Sequence, residues 1–262
     1  MANWQGKWAV VTGASAGIGW QLASQLAAGG ANLVLTARRT ERLTQLAGEL
    51  RERHKIQTEL FPADLSQPQA PEELFRFIEQ KRLPIDVLIN NAGFGAYGRF
   101  HETDRQRLLE MVQVNVASVV NLTHLFLPAM VERRSGYVMI VASTAAFQPV
   151  PYISTYAATK GFDLLFAEGI AEEVRRHGVN ICALCPGSTA SEFFQVAGQP
   201  SHMGGRTKET AEKVARVGLQ ALAAGRPRVI SGTRNWLGVE MQRLAPRSLV
   251  TRVAARMFAP SK

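Results

Sequence analysis

The stretch Thr12-Gly13-Ala14-Ser15-Ala16-Gly17-Ile18-Gly19 decides how this chain is read. It ends the apolar, β-rich run Trp8–Thr12 and opens an amphipathic stretch, Gly19–Gly29, so strand, glycine turn and helix follow one another. Glycine lets the backbone turn sharply and come close to a bound molecule. The start of a helix offers unpaired N–H groups and the positive end of its dipole to a phosphate. The spacing is G-x-x-x-G-x-G rather than the G-x-G-x-x-G of many dinucleotide folds. An ordinary strand-to-helix turn also uses glycine, so the neighbouring sequence has to choose between the two.

Outward from this turn, short apolar runs alternate with helical patterns. The strands expected are Trp8–Thr12, Asn32–Thr36, Gln57–Pro62, Val87–Asn90, Gly136–Ala142, Asn180–Cys185 and Arg228–Ser231. Between them lie amphipathic stretches such as Thr40–His54, Pro71–Lys81, Asp104–Arg134 and Thr155–His177. Regular alternation predicts parallel strands joined by right-handed crossovers, with helices on both faces. The fold class is therefore α/β, a Rossmann-type doubly wound parallel sheet of about seven strands. A chain of 262 residues is expected to form it as one domain, 1–262.

The second strand bears on the phosphate. An acidic residue about 20 positions after the glycines binds the ribose 2′-hydroxyl of NAD. Here the strand ends Leu35-Thr36-Ala37-Arg38-Arg39, with no acid. Two guanidiniums suit a 2′-phosphate, which accepts bidentate hydrogen bonds, so the pair points to NADP(H). A solvated basic pair opening the next helix is the alternative.

Tyr156-Ala157-Ala158-Thr159-Lys160 begins an apolar-periodic helix. Positions i and i+4 share a face, so phenol and ammonium can enter one site. A tyrosine with its ordinary pKa near 10 exchanges protons poorly at neutral pH, and a lysine charge favours the phenolate. The pattern alone is common on surfaces. Ser143 strengthens it: the residue follows the apolar run Val138–Ala142, and ligands of open α/β sheets gather at strand C-termini. A hydroxyl there can hold a carbonyl oxygen as charge develops on it, or can simply cap a turn.

Together these residues resemble the short-chain dehydrogenase/reductase family, over roughly residues 5–190. The ordered motifs are Thr12–Gly19, Asp64-Leu65, Asn90-Asn91-Ala92-Gly93, Asn115, Ser143, Tyr156/Lys160 and Pro186-Gly187. The resemblance implies a catalytic set of Asn115, Ser143, Tyr156 and Lys160. In it Tyr156 is the acid that protonates a carbonyl, Lys160 lowers its pKa and binds the nicotinamide ribose, and Ser143 positions the carbonyl. Asn115, within the expected helix Leu108–Ala129, holds a water that relays protons to Lys160. The implied cofactor set is Gly13, Ser15, Ala16, Gly17, Ile18, Gly19, Arg38, Arg39, Asp64, Leu65, Asn91, Ala92, Gly93, Tyr156, Lys160, Pro186, Gly187 and Thr189. Ser191 stands where the family often has Thr, keeping the hydroxyl and losing the methyl. Taken singly, Asn115 reads equally as a hydrogen-bonded helix residue, Asp64 as a cap before Gln67-Pro68, and Asn90–Gly93 as a strand-ending turn.

Of the 30 Lys+Arg and 21 Asp+Glu, residues 205–262 hold 12 basic and 3 acidic, so the whole net charge of +9 lies there. The neutral body argues against a nucleic-acid partner. The tail 235–262 interleaves Arg243, Arg247, Arg252 and Arg256 with Trp236, Leu237, Met241, Leu244, Leu249, Val253, Met257 and Phe258. Such spacing suits a peripheral membrane helix, a contact with an acyl carrier or an acyl thioester phosphate, or a helix packed on the domain with a solvated basic face. The tail resembles that of bacterial short-chain reductases of unassigned substrate and, more distantly, that of long-chain 3-oxoacyl thioester reductases.

Ser188–Arg206, taken as a lid segment 188–206, carries Phe193, Phe194, Val196 and Met203. They are expected either to close over an apolar substrate or to pack the loop down. Within it, Gly198–Gly205 reads as a mobile loop. Phe94, Tyr97, Phe100 and Phe147 are expected near the same cavity. The sequence thus points to reduction of an apolar ketone or 3-oxoacyl substrate by NADPH. The alternatives are an enzyme of small ketones or hydroxylated compounds, and a regulatory NADP-binding protein without turnover.

Cys182 and Cys185, spaced C-x-x-C, lie in the expected strand Asn180–Cys185. Their side chains should point to opposite faces, beyond disulfide reach, and no second ligand pair for zinc is present. No metal is expected. Met1–Lys7 is short and polar for a signal peptide and no uninterrupted apolar run has the length of a membrane span, so a cytoplasmic protein is expected. The resemblance further implies a homodimer or homotetramer through the stretches Asp104–Arg134 and Thr155–His177.

Overall fold

The computed structural model describes residues 3–199 and 208–260. Residues 200–206 of the expected lid, Met203 among them, and most of the expected mobile loop lie outside the described residues.

Seven parallel strands form one sheet in the order β3-β2-β1-β4-β5-β6-β9. They are β1 (Trp8–Thr12), β2 (Asn32–Thr36), β3 (Thr58–Leu60), β4 (Ile85–Asn90), β5 (Gly136–Val141), β6 (Val179–Cys185) and β9 (Arg228–Ile230). Helices α1 (Gly17–Ala28), α2 (Thr40–His54) and α8 (Ala211–Ala223) accompany α3 (Ala70–Gln80), α5 (Ser118–Glu132) and α6 (Ser154–Val174) in the crossovers. Two buried clusters result. Ala9, Val11, Leu33, Leu35 and Met139 face one way with Leu22, Leu43 and Leu219. Val10, Val34, Leu88, Val138 and Ile140 face the other with Leu74, Leu122 and Leu164. Strands buried on both faces read as continuous apolar runs, which is why they were legible. The chain order reverses on either side of β1, and the crevice beyond the β1 and β4 ends is where such sheets bind ligands.

Cys182 belongs to the first cluster and Cys185 to the second. Both are free thiols, and burial pushes each pKa up to about 12. They are core residues held as unreactive thiols.

Three features correct the sequence expectation. The stretch Asp104–Arg134 is not one regular helix: α4 (Arg105–Val112), capped by Asp104, passes through a π-helical turn at Gln113–Ala117 before α5 begins. A π turn inserts backbone that shifts the phase of the following helix and is frequent at functional sites. Asn115 sits in it, fully buried. Although the chain lacks an uninterrupted apolar run, Arg105–Glu132 as a whole has the length and composition of a membrane span. Its Met111, Val119, Leu122, Phe126 and Met130 are buried in the domain, as in a core helix. Finally, a second, two-stranded sheet was not anticipated. It pairs β7 (Thr189–Ala190) with β8 (Glu209–Thr210) and ties together the two ends of the segment after Pro186-Gly187. The short helix α7 (Phe193–Val196) lies within that segment, and α9 (Thr233–Gln242) and α10 (Arg247–Phe258) complete the chain.

Candidate active site

A cavity of about 610 Å³ opens at the C-terminal ends of β1, β4, β5 and β6. Its walls include Gly13, Ser15, Ala16, Gly17, Ile18, Gly19, Arg38, Arg39, Asp64, Leu65, Asn91, Ala92, Gly93, Ser143, Tyr156, Lys160, Pro186, Gly187 and Thr189. Of the expected catalytic and cofactor residues, all but Asn115 line it.

The glycine turn is built for close approach. Gly13 has φ +66°, and a Cβ there would come within 2.9 Å of the Ala92 Cα. A Cβ on Gly19 would overlap the Gly13 carbonyl and the Asn91 amide. Asn91 holds the turn from the neighbouring strand end: its Nδ2 donates to Thr12 O at 2.8 Å and Gly13 O at 3.3 Å. Thr12 Oγ1 accepts from the Asn91 and Ala92 N–H groups, each at 2.9 Å. The sequence places Thr12 at the strand end and at the head of the motif Thr12–Gly19, but not this clamp role of its hydroxyl. Ala16 at the N-cap of α1 supplies no side-chain acceptor, so the first N–H groups lack a protein cap.

Arg39 bends over this turn. Its Nε and one terminal nitrogen donate to Ser15 Oγ at 3.3 and 3.2 Å, and the other terminal nitrogen pairs with Glu192 at 2.8 Å. Glu192 precedes α7, so one arginine joins the glycine turn to the segment over the cavity. Asp64 caps its own turn, with Oδ1 accepting from Ser66 N at 3.0 Å, and also lines the cavity. Its reading as a turn cap matches the structure.

Ser143 lies two residues beyond β5 and caps a short 3₁₀ turn, with Oγ accepting from Ala145 N at 3.1 Å. Thr144 N donates to Pro186 O at 2.8 Å, which fixes the β5 and β6 ends together. Tyr156 and Lys160 project from the first turns of α6, with the ammonium 6.0 Å from the phenol ring centre. Lys160 is 5% exposed, and its Nζ donates to Val141 O at 2.7 Å and to Asp163 Oδ2 at 2.9 Å. One of its three N–H groups therefore remains free of these two partners. Asp163 is fully buried, and its Oδ1 has no protein partner. Sequence reasoning missed this acid, although position i+3 from Lys160 in an apolar run was a visible signal.

The phenol is pushed above its ordinary pKa by burial, against the lowering expected from the tyrosine–lysine pair. The Lys160 charge and the Ser143 hydroxyl pull it down only in part, and the Asp163 carboxylate adds a further upward push. Burial alone would lower Lys160, but Asp163 and Tyr156 raise it, so it remains a cation. The side chains thus keep Tyr156 protonated and Lys160 charged at neutral pH, an acid ready to give a proton.

Asn115 lies behind the cavity wall. Its Oδ1 accepts from Phe94 N at 3.1 Å, while Nδ2 donates to Phe94 O at 3.0 Å and Thr159 Oγ1 at 3.0 Å. Its side chain is thus committed to the Phe94 backbone and the Thr159 hydroxyl beside the site, as its helix-residue reading allowed.

The other wall is apolar. Phe193 packs on Tyr156 with ring centres 5.1 Å apart, and Phe94, Val114, Ile153, Phe194, Val196 and Phe258 complete the lining. The segment is held down by Arg107 donating to Val196 O at 2.9 Å and by Tyr97 N donating to Ala197 O at 2.9 Å. Three expected aromatics do not line the cavity. Tyr97 packs beside Val150 and Ile153 with its hydroxyl on Phe258 O, Phe100 points to solvent, and Phe147 joins the second core cluster. Phe258 was assigned to the tail, and only the tertiary fold brings it here.

The family profile described as short chain dehydrogenase matches residues 7–201. The chain belongs to that family. Members of that family are oxidoreductases that use nicotinamide cofactors. The very-long-chain 3-oxoacyl-CoA reductase of Coprinopsis cinerea is 35% identical over 181 residues, 67% of this chain and 52% of that protein. The chain therefore matches about half the length of that relative. The very-long-chain 3-oxoacyl-CoA reductase-A of Danio rerio is 32% identical over 259 residues, 96% of this chain and 78% of that one. A short-chain dehydrogenase from Sphingobium yanoikuyae, solved in complex with NADPH, matches with TM-score 0.82 at 26% identity, covering 91% of this chain and 93% of that one.

Proposed function

We propose that this dehydrogenase uses NADPH to reduce the carbonyl of an apolar ketone or 3-oxoacyl compound to an alcohol. The observation that carries the reading is one cavity with a protonated Tyr156, Ser143 and Lys160 on one wall and Phe94, Ile153, Phe193, Phe194 and Phe258 on another. The glycine turn fits a dinucleotide: no Cβ fits at Gly13 or Gly19, and the uncapped α1 N–H groups suit a pyrophosphate. Arg38 and Arg39 suit a 2′-phosphate, with Arg39 exchanging its exposed Glu192 partner for it.

When bound, NADPH supplies the hydride. Ser143 Oγ holds the carbonyl oxygen, and Tyr156 Oη gives it a proton as charge develops there. Lys160 offers its remaining N–H to the ribose and keeps a positive charge beside the phenol. Since the Asn115 amide is committed, its main-chain carbonyl in the π turn is the atom left to hold a relay water. The apolar wall excludes water and accepts an alkyl or acyl chain. Leu109, Val112, Val120, Phe162 and Leu165 are exposed on α4, α5 and α6, in keeping with a homodimer or homotetramer through these helices.

Replacing both Arg38→Ala and Arg39→Ala is expected to raise the KM for NADPH by about tenfold or more and to leave that for NADH nearly unchanged. Initial rates with each cofactor check this, and equal effects on both would sink the 2′-phosphate assignment.

A further inference from the structure

Half of the exposed large hydrophobic side chains among the described residues fall within 22 positions near the C-terminus. They are Trp236, Leu237, Met241, Leu244, Leu249, Val253 and Met257, between 48% and 80% exposed. On α10, Leu249, Val253 and Met257 recur every four residues and form one outer stripe, while Ala254 is buried beneath it. Leu237 and Met241 on α9 are likewise four apart and exposed, and Leu244 follows just beyond that helix. The charges between them have one sign. Arg234, Arg243, Arg247, Arg252 and Arg256 are exposed, and the sole acid of 233–258, Glu240, is taken by Arg243 at 3.1 Å.

We propose that this face docks on an anionic lipid surface. An apolar stripe flanked by arginines is the chemistry of an interfacial helix, with the side chains entering the acyl boundary and the guanidiniums resting among phosphates. A second copy fits poorly, because a two-fold contact through this face would set arginines against arginines. The other exposed large apolar residues, among them Leu109, Val112, Val120, Phe162 and Leu165 on α4, α5 and α6, are spread over several elements. α10 also bounds the cavity: Phe258 lines it, and the Tyr97 hydroxyl donates to Phe258 O at 2.9 Å. The docked helix would thus lie between lipid and substrate cavity, a consequence that rests on the proposed reduction. Docking itself does not, and the binding assay uses no substrate.

The test is co-sedimentation of the full chain with vesicles of phosphatidylcholine alone, or mixed in equal parts with phosphatidylglycerol. Binding to the mixed vesicles is expected to be about tenfold tighter or more, and to be lost at high salt. The triple variant Leu249→Glu, Val253→Glu, Met257→Glu should lose it while keeping the wild-type circular dichroism spectrum and NADPH affinity. A double variant, Arg252→Gln with Arg256→Gln, should lower binding without touching the apolar stripe. Equal binding to both vesicle types, or full binding by the triple variant, overturns the proposal. So does a wild-type dimer in solution that the triple variant dissolves, which would give the face to a second copy.

Discussion

Tyr156→Phe lowers kcat for carbonyl reduction by about 10²- to 10⁴-fold, the range for losing a positioned general acid. The substitution removes one oxygen and keeps the ring that packs on Phe193 at 5.1 Å, so folding and NADPH affinity should change little. A loss in kcat with an unchanged NADPH Kd would separate proton transfer from cofactor binding. The pH profile carries the same mechanism. Tyr156 titrates above its ordinary value of 10.0, because burial outweighs Lys160 and Ser143. Reduction needs the protonated phenol, so Tyr156 should impose no loss of rate below about pH 10 and a fall above it. Full activity of Tyr156→Phe on a substrate that the wild type reduces would remove the residue from the chemistry.

Asp163→Leu is expected to destabilise the fold by about 3–5 kcal/mol, because it leaves the Lys160 ammonium buried without its carboxylate. In a domain of this size that corresponds to a fall in Tm of roughly 10 °C. Both groups are almost wholly out of solvent and 2.9 Å apart, so water screens the loss little. Asp163→Asn is the milder probe. It keeps an oxygen for Lys160 but removes the charge that raises both Lys160 and Tyr156. The high-pH fall in reductase rate should therefore move to lower pH as long as Lys160 keeps its proton. A purely structural role for Asp163 would lower Tm and leave that profile in place.

Much of the fold was legible because parallel strands buried on both faces announce themselves as short apolar runs. β1, β2 and α2 fall where the sequence put them, and the other main strands differ by a residue or two at their ends. The site was legible where glycine and ordered polar residues follow strand ends, which is why all but one of the expected catalytic and cofactor residues line the cavity. Asn115 departs because a π turn, invisible to a 3.6-residue period, turns its amide onto Phe94 and Thr159. Phe258 and the Arg39–Glu192 pair depend on contacts across more than 100 residues, which periodicity cannot read. The Tyr156 pKa was misjudged for a similar reason: Asp163 and full burial act against the lysine, and only the packed structure weighs them together.

The reduction itself is tested most directly by mixing the purified protein with NADPH and a graded series of apolar ketones and 3-oxoacyl thioesters, and measuring NADPH consumed against alcohol formed. One alcohol per NADPH, with kcat/KM rising as the apolar chain lengthens, is the expected result. Tight NADPH binding with no turnover across the series would contradict it and leave a cofactor-binding protein in its place.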